Sequence, residues 1–463
     1  MHFWESSAWS LIIQIGIILV AIMASNVIRR KVSFIRNSLL PTSVIAGILI
    51  FGLMFIPSLD GFIDKGFMEI LTYHCLGLGF IAMSLKTGTK SKDSSKRVVF
   101  FSGILTVSTY LVQALLGLSI SLILCYTLFP DLFHAAGLLL PMGFGQGTGQ
   151  ALNIGGIFQD ANGWANGRTF GLAVAALGFL IACVCGVVYM NILRKRGKLD
   201  THLQRKEVSN NLNTDIYAED EAPLTDAVDK LTMQFGFVLL VYLMTFGAMS
   251  GLAYLSVKYL GNFGVNTLRP LIWGFNFLFG SVLAMVIKRV IVYLKATKLM
   301  HHSYINDYMM SRLSGFFFDV MIVAGIAAIS WGDLKGFLWP LLIICSIGGI
   351  GTFFYLKFMC KIMYPNYEYE AFFSYFGMLT GTASTGMILL REIDPNYETP
   401  AADNLVLQQM PAIIFGAPLL IMIPLAGGSI SSAIAIFFVG VAMLVVYNLI
   451  LLWKYIFKPK VRK

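Results

Sequence analysis

The amino-acid sequence predicts an all-α polytopic membrane protein with two inverted-topology repeats, each containing five transmembrane helices and one re-entrant hairpin, plus an extra C-terminal helix. Three observations support this fold class. Of the 463 residues, 57% are hydrophobic and 13% are charged, whereas soluble domains carry about 25% charged residues. Apolar runs long enough to cross a bilayer recur along the chain. Two glycine-rich polar segments, 143–151 and 377–385, interrupt these runs at corresponding places.

About eleven spans are predicted from stretches of roughly 20 apolar residues, the length that a bilayer requires. In the first half they lie near residues 9–27, 38–56, 67–85, 98–128 and 168–193. In the second half they lie near residues 231–256, 268–288, 310–330, 336–359, 404–426 and 430–456. Residues 132–160 and 366–392 are too apolar for ordinary loops and too rich in glycine for straight helices. We interpret both segments as re-entrant hairpins.

These spans divide the chain into four regions. Residues 1–193 form the first repeat and residues 231–426 form the second, with residues 194–230 as a cytoplasmic linker between them. Residues 427–463 supply the extra transmembrane helix and a basic cytoplasmic tail. Proline stands at the start of the second span in each repeat, at positions 41 and 270, which supports the alignment of the two halves.

Basic residues set the predicted orientation, because loops rich in Lys and Arg remain in the cytoplasm. The basic clusters fall on one side of the membrane when the spans are counted singly: 29–36, 86–97, 194–206, 288–298 and 454–463. The N-terminus is then outside and the C-terminus is cytoplasmic. The first hairpin enters from outside and the second from the cytoplasm. These loops account for the net charge of +10, so we do not interpret the charge as nucleic-acid binding.

The two glycine-rich tips have the properties of a transport site. Glycines let two helix ends meet and leave backbone groups unpaired, which is tolerated at membrane depth where the backbone lines a cavity. Helix N-termini attract carboxylates, and C-terminal carbonyl groups suit Na⁺. Interrupted apolar segments at corresponding places in two halves are typical of secondary transporters. The alternative interpretation is that the glycines only permit close helix packing.

The predicted site residues come mainly from these tips. Candidates for substrate binding are Gly145, Gln146, Gly147, Thr148, Gly149, Gly381, Thr382, Ala383, Ser384, Thr385 and Arg391. Candidates for Na⁺ binding are Gln150, Asn153, Asp319 and Thr380. Arg391 is also compatible with a position at the cytoplasmic boundary, and Asp319 with an ion pair to Arg312. Asp160 and Asp394 occupy equivalent positions at the ends of the hairpins, where turn or capping roles are expected.

The chain resembles the bacterial sodium–glutamate symporter family. The resemblance rests on the G-x-G-T-G core of the first tip, at residues 145–149, and on residues 366–368 before the second tip. It implies Na⁺-coupled uptake of glutamate through the bacterial plasma membrane, by movement of a hairpin-bearing domain against a scaffold. Gln146 stands where a histidine is expected, and the second tip reads T-G-T-A-S-T with no proline after it. A related small carboxylate therefore remains an alternative substrate.

Other functions fit the sequence less well. A cation/proton antiporter requires paired carboxylates in mid-span, and Asp319 is the one candidate. A membrane-embedded enzyme requires a nucleophile–base or metal motif such as H-E-x-x-H, which the sequence lacks. The six cysteines show no metal-ligand spacing. We expect no enzymatic activity and no cofactor apart from Na⁺ as the coupling ion. The expected partners are a small anion and the lipid bilayer, and a homodimer is compatible with the sequence.

Overall fold

The computed structural model describes residues 6–56, 63–86, 96–199, 229–297, 304–394 and 398–457. Within these ranges the regular secondary structure is helical, and there is no strand. Three predicted features lie wholly or partly outside the described residues: the linker at 200–228, the basic cluster at 87–95 and the tail at 458–463.

The described residues of the first half form helices α1 to α7. Their bounds are Ser6–Lys31, Ser33–Asn37, Thr42–Leu53, Lys65–Leu85, Lys96–Thr127, Leu139–Asp160 and Gly167–Lys195. A short 3₁₀ turn, Ala136–Leu138, leads into α6. Most of these helices are long because their sequences are apolar and carry neither proline nor charged residues in their central turns.

The described residues of the second half form helices α8 to α18. Their bounds are Lys230–Phe263, Arg269–Gly274, Asn276–Ala296, Asp307–Ala327, Trp331–Leu334, Leu338–Met363, Glu368–Thr380, Ala383–Arg391, Ala401–Leu407, Gln409–Leu425 and Ile430–Phe457. A π-helical segment, Gly264–Leu268, joins α8 to α9.

Ten helices in the described part of the chain are long and apolar enough to cross a membrane. Several of them, including α1, α8 and α18, leave most of their apolar surface uncovered. Apolar residues exposed along entire helices are typical of a lipid-facing surface. The structure therefore confirms an all-helical, multi-pass membrane protein.

The second predicted span, 38–56, is wrong in length. Only Thr42–Leu53 is helical within it, and 12 residues reach about 18 Å, well short of a bilayer core of about 30 Å. The chain is broken before this helix, since Leu39 has a positive φ of 59° and Pro41 is extended, with ψ of 143°. Hydropathy alone does not detect these backbone breaks.

Two spans of the second half are also interrupted. The predicted span at 268–288 begins with the short helix α9 and bends at Phe275, and the continuous helix α10 runs on to Ala296. The predicted span at 404–426 is divided into α16 and α17 at Gln408. In both places, one continuous apolar run in the sequence corresponds to two helices in the structure.

The packing of the two halves repeats itself. Helix α3 packs on α11, where a Cβ on Gly47 would lie 2.7 Å from Ile326 Cβ. Helix α10 packs on α4, where a Cβ on Gly280 would lie 2.8 Å from Ile81 Cδ1. In both places glycine is required because a neighbouring isoleucine occupies the space of its side chain. Helices α4 and α11 pack on each other between these contacts.

A second repeated contact occurs where α4 and α11 begin. Asp64 caps α4, and its backbone N–H donates to Gln14 Oε1 of α1 over 3.3 Å. Asn306 caps α11, and its backbone N–H donates to Gln234 Oε1 of α8 over 3.1 Å. An Asp or Asn cap satisfies free amides of the first helical turn, and a glutamine from the first helix of each half holds that cap.

Candidate functional site

The helix α6 is broken at Gly147. This residue has φ of 80° and ψ of −169°, a conformation that is essentially restricted to glycine. The two limbs fold back on each other, since Phe133 before the first limb stacks on Trp164 after the second, with ring centroids 5.3 Å apart. An unbroken helix would separate residues 31 positions apart by about 46 Å. We call residues 139–160 the first helix pair.

A second helix pair is formed by α14 and α15, which meet at Gly381 and Thr382. The limbs are antiparallel and touch through their backbones: a Cβ on Gly377 would lie 2.7 Å from Gly386 Cα. Thr382 is the N-cap of α15, where its hydroxyl oxygen accepts a 3.4 Å hydrogen bond from the Thr385 N–H. The break therefore falls at Gly381, the residue that corresponds to Gly147 when segments 143–151 and 377–385 are aligned.

The tips of the two pairs contact each other. A Cβ on Gly147 would lie 3.6 Å from Thr382 Cγ2. Helix α5 holds both tips, because Tyr110 donates to the Gly145 carbonyl over 3.2 Å and Gln113 donates to the Leu379 carbonyl over 2.7 Å. Two backbone breaks, distant in sequence, thus form one local structure inside the helical bundle.

A cavity of about 110 Å³ opens beside this contact. Its polar wall comes from both tips and from α17, through Gln146, Thr382, Ser384 and Gln409. Its apolar wall includes aromatic residues of α4, α10 and α11, namely Phe80, Phe277 and Phe318. The residues that line the cavity carry no charge, so a ligand here meets amides, hydroxyls and backbone groups.

The amino end of α15 faces this cavity. Ala383 and Ser384 open the helix, line the cavity and are exposed. The first N–H groups of a helix have no partner within it and carry partial positive charge. Together with the amide groups of Gln146 and Gln409, which also line the cavity, this helix end suits an anion such as a carboxylate.

The predicted substrate residues separate into two sets. Those that line the cavity are Gly145, Gln146, Thr382, Ala383 and Ser384. The others pack the interior of the tips: Gly147, Thr148, Gly149, Gly381 and Thr385. Thr148 illustrates the second set, because its hydroxyl donates to the Met321 carbonyl over 3.2 Å and is fully buried against α11. These residues shape the tips without forming the cavity wall.

Arg391, a predicted substrate residue, does not line the cavity. It lies in the last turn of α15, about 13 Å along the helix from the tip, and it is exposed and absent from the cavity wall. A helix of this length carries its last residue away from the break. The boundary position, the alternative considered for this residue, fits the structure.

The four predicted Na⁺ ligands have different environments. Gln150 is fully buried, and neither its oxygen nor its nitrogen has a hydrogen-bond partner. Asn153 donates to the Gly274 carbonyl over 2.7 Å. Thr380 donates to the Phe376 carbonyl over 2.6 Å, which leaves its hydroxyl lone pairs free. Burying an amide whose two polar atoms are unpaired costs free energy, unless a bound species pairs with them.

Asp319 does not face the cavity. Phe318, Met321 and Ile322 line it from α11, and Asp319 is displaced from Phe318 by about 100° around the helix and is exposed. The alternative pairing with Arg312 is not observed either, since the Arg312 guanidinium lies over the Tyr308 ring, 5.1 Å from its centroid. The spacing of about two helical turns between Arg312 and Asp319 makes an ion pair conceivable, but it does not determine where the two side chains point.

The two aspartates at the ends of the pairs have structural roles. Asp394 accepts hydrogen bonds from the backbone N–H groups of Glu398 and Thr399, so its predicted turn role is confirmed. Asp160 forms an ion pair with Arg168 over 2.6 Å, and Arg168 also lies 3.5 Å from Glu69. Arg168 lies in α7, so the two ion pairs connect the end of the first helix pair to α7 and α7 to α4.

Sequence reasoning missed several residues of the cavity. Gln409 could have been identified from the sequence, because a polar side chain in a membrane span is a functional candidate. Tyr110 and Phe80 could not, since aromatic residues are common in apolar helices. Only the folded arrangement places them beside the tips.

Comparison with protein-family models and with curated proteins finds no match for the chain.

Gly147→Ala is expected to destabilise the folded protein by about 1–3 kcal/mol, because a Cβ at this φ and ψ is strained. Steric overlap is not the cause, since the nearest atom would be 3.6 Å away. The melting temperature of the purified protein measures the effect. The control is Gly247→Ala in α8, where a Cβ meets nothing within 4 Å. Equal melting temperatures for both variants would contradict a required backbone break.

Proposed function

We propose that this protein is a secondary active transporter that couples Na⁺ entry to the uptake of glutamate or a related small carboxylate. The contact between Gly147 and Thr382 beside the cavity carries the proposal. Two broken helix pairs that meet inside a membrane bundle provide unpaired backbone groups where a soluble ligand would otherwise find only apolar surface.

The repeated contacts support an inverted-repeat architecture in which the helix pairs are re-entrant hairpins. The Gly47–Ile326 and Gly280–Ile81 contacts are exchanged between the halves, and the caps held by Gln14 and Gln234 are repeated once within each half. A pseudo-twofold relation of this kind explains all four contacts at once. Among the described residues, four long apolar helices precede the second half, and the short helix α3, with the chain on either side of it, would provide a fifth crossing. With these five crossings, the two hairpins would enter from opposite sides of the membrane.

The cavity suits a small anion that lacks a protein counter-charge. The amino end of α15 supplies partial positive charge, and Gln146 and Gln409 supply amide donors to the same cavity. Next to the apolar walls of the cavity such neutral donors bind a carboxylate more strongly than they would in bulk solvent. The aromatic wall of Phe80, Phe277 and Phe318 accommodates the apolar carbon chain of the substrate.

The buried side chain of Gln150 is the observation that favours a bound coupling ion. Its amide is fully buried just after the first tip, with an unpaired oxygen. Hard cations such as Na⁺ prefer oxygen ligands, and a carbonyl-type oxygen supplies one without adding a charge. An ion bound near the first tip would favour the tip conformation that binds the anion, which is the thermodynamic basis of coupling.

Alternating access then requires one group of helices to move against another. We assign the moving domain to the two helix pairs with α5, α7 and α13, which pack around them. The scaffold consists of α1, α3, α8 and α10, the outer helices of the two repeats. The protein would lie in the plasma membrane of a bacterium, with the N-terminus outside and the C-terminus in the cytoplasm, as the basic loops favour.

Uptake into proteoliposomes tests the proposal. We expect labelled glutamate, or another small carboxylate from a panel of such acids, to accumulate only with an inwardly directed Na⁺ gradient. A choline gradient of equal size is the control for osmotic and chloride effects. Uptake of equal size in both gradients would eliminate Na⁺ symport, and no uptake of any acid in the panel would eliminate the substrate class.

A further inference from the structure

Gln113 of α5 is a buried residue outside both helix pairs. Its side chain is fully buried and its nitrogen makes two hydrogen bonds, to the Leu379 carbonyl over 2.7 Å and to Thr352 Oγ1 over 3.1 Å. These bonds join α5 to α13 and to the last turn of α14. Gln113 therefore contacts the second tip from a helix that belongs to neither of its limbs.

The orientation of this amide is fixed by its partners. A backbone carbonyl accepts only, so the group facing Leu379 must be the N–H₂. Thr352 donates its own hydroxyl proton to the Gly348 carbonyl over 2.7 Å, so it can only accept from Gln113. Both amide hydrogens are thus used, and the amide cannot be reversed without losing both bonds.

The remaining atom, Gln113 Oε1, is buried and has no hydrogen-bond partner. A buried oxygen left unpaired costs about 1–3 kcal/mol. Gln408 provides the comparison within the same bundle: it is equally buried, but Thr106 donates to its oxygen over 2.8 Å. Gln113 Oε1 therefore points in a fixed direction, and no hydrogen-bond donor uses its lone pairs.

The adjacent end of α14 also offers oxygen atoms. The last carbonyls of a helix have no partner within it and carry partial negative charge, and α14 ends at Thr380. The Thr380 hydroxyl donates to Phe376 over 2.6 Å, so its lone pairs are free. The described residues here supply acceptors, and no cationic side chain is among the bonded partners of Gln113.

We propose that the carboxyl end of α14 binds a monovalent cation and that Gln113 Oε1 is one of its ligands. Neutral oxygen ligands suit a monovalent ion, whereas Ca²⁺ and Mg²⁺ require carboxylates. No group of three His, Cys, Asp or Glu residues able to hold a metal occurs in the described ranges. The proposal rests on Na⁺-coupled transport and adds a site at the second tip, distinct in position from Gln150 at the first.

The thermal unfolding of the purified full-length protein tests this site without transport. Melting temperature is measured in detergent against NaCl, with choline chloride keeping total chloride constant and with no organic anion present. A ligand that binds the folded state raises the melting temperature with its concentration. For Gln113→Leu we expect the half-saturating Na⁺ concentration to rise at least about tenfold. Gln408→Leu, in which the lost oxygen was already paired, is the control and is expected to keep the wild-type value.

A second variant covers the case in which Gln113→Leu does not fold. Thr352→Val keeps the shape of its side chain but leaves one amide hydrogen without a partner, so that only the bond to the Leu379 carbonyl holds the direction of Oε1. We expect about a threefold rise in half-saturating Na⁺ concentration. Thr245→Val in α8 removes an equally buried hydroxyl far from the tips in the chain, and it is expected to cause no change.

The outcomes separate this site from the transport proposal. Unchanged Na⁺ dependence in both Gln113→Leu and Thr352→Val overturns the cation site while leaving Na⁺-driven uptake intact. A wild-type protein whose melting temperature does not respond to Na⁺, Li⁺ or K⁺ also overturns the site. If uptake proves independent of Na⁺ but Gln113→Leu abolishes stabilisation by K⁺ or Li⁺, the cation site stands and Na⁺ coupling fails.

Discussion

Ser384→Asp is expected to lower uptake by about 100-fold or more while leaving the fold intact, because like charges placed next to each other repel by several kcal/mol. Ser384 is exposed to the cavity in the first turn of α15. A carboxylate at this position occupies the space that we assign to the substrate. It also interacts with the partial positive charge of the helix end, which we assign to substrate binding. The same carboxylate stabilises the amino end of the helix by about 0.3–1 kcal/mol. Binding and stability are therefore expected to change in opposite directions.

The matched control is Ser384→Asn, which has nearly the same size as the aspartate variant and no charge. We expect it to retain uptake within about threefold of wild type, since asparagine is also favourable in the first turn and can donate to an anion. Uptake is measured in proteoliposomes and melting temperature in detergent. Wild-type uptake by Ser384→Asp would show that the anion binds elsewhere. Equal losses in both variants would indicate a steric effect.

Gly386→Ala is expected to destabilise the second helix pair by about 3 kcal/mol or more, at the upper end of the range for overpacked sites. The new Cβ would overlap the Ser374 carbonyl and approach the Met378 backbone nitrogen to 3.1 Å. Because these atoms belong to the backbone of the opposite limb, no side-chain rotation can make room. The limbs must separate, which moves Thr382 away from the first tip.

The effect is measured as a loss of melting temperature and of uptake. Gly315→Ala in α11 is the control, because a Cβ there meets nothing within 4 Å. Alanine in an open helical position is favourable by about 0.5–1 kcal/mol relative to glycine. A Gly386→Ala variant as stable and as active as the control would contradict the close contact of the two limbs.

The positions of the helix breaks could be predicted from the sequence. Gly147 and Gly381 align between the two halves, and the structure breaks α6 at the first and ends α14 just before the second. The reason is local: glycine adopts backbone conformations that other residues avoid, and the segments around it are apolar and too short to span alone. Hydropathy and glycine content report both properties directly.

The cavity residues could be predicted only in part. Gln146, Thr382 and Ser384 line it as expected because they lie within one or two residues of a break. Arg391 and Asp319 do not, because the direction of a side chain around a helix and its distance from the tip depend on where that helix is placed. The sequence shows that both residues are charged, but not where their side chains point.

The amino-acid sequence by itself determined that the chain is a helical, multi-pass membrane protein and that two glycine-rich segments interrupt it at equivalent places. Apolar composition and backbone freedom are properties of short stretches, so they can be read without knowing the fold. The tertiary structure decided that the two tips touch, that Phe80, Tyr110 and Gln409 join them, and that Gln113 and Gln150 keep unpaired polar atoms. Contacts between helices far apart in the chain depend on packing, which no local pattern specifies.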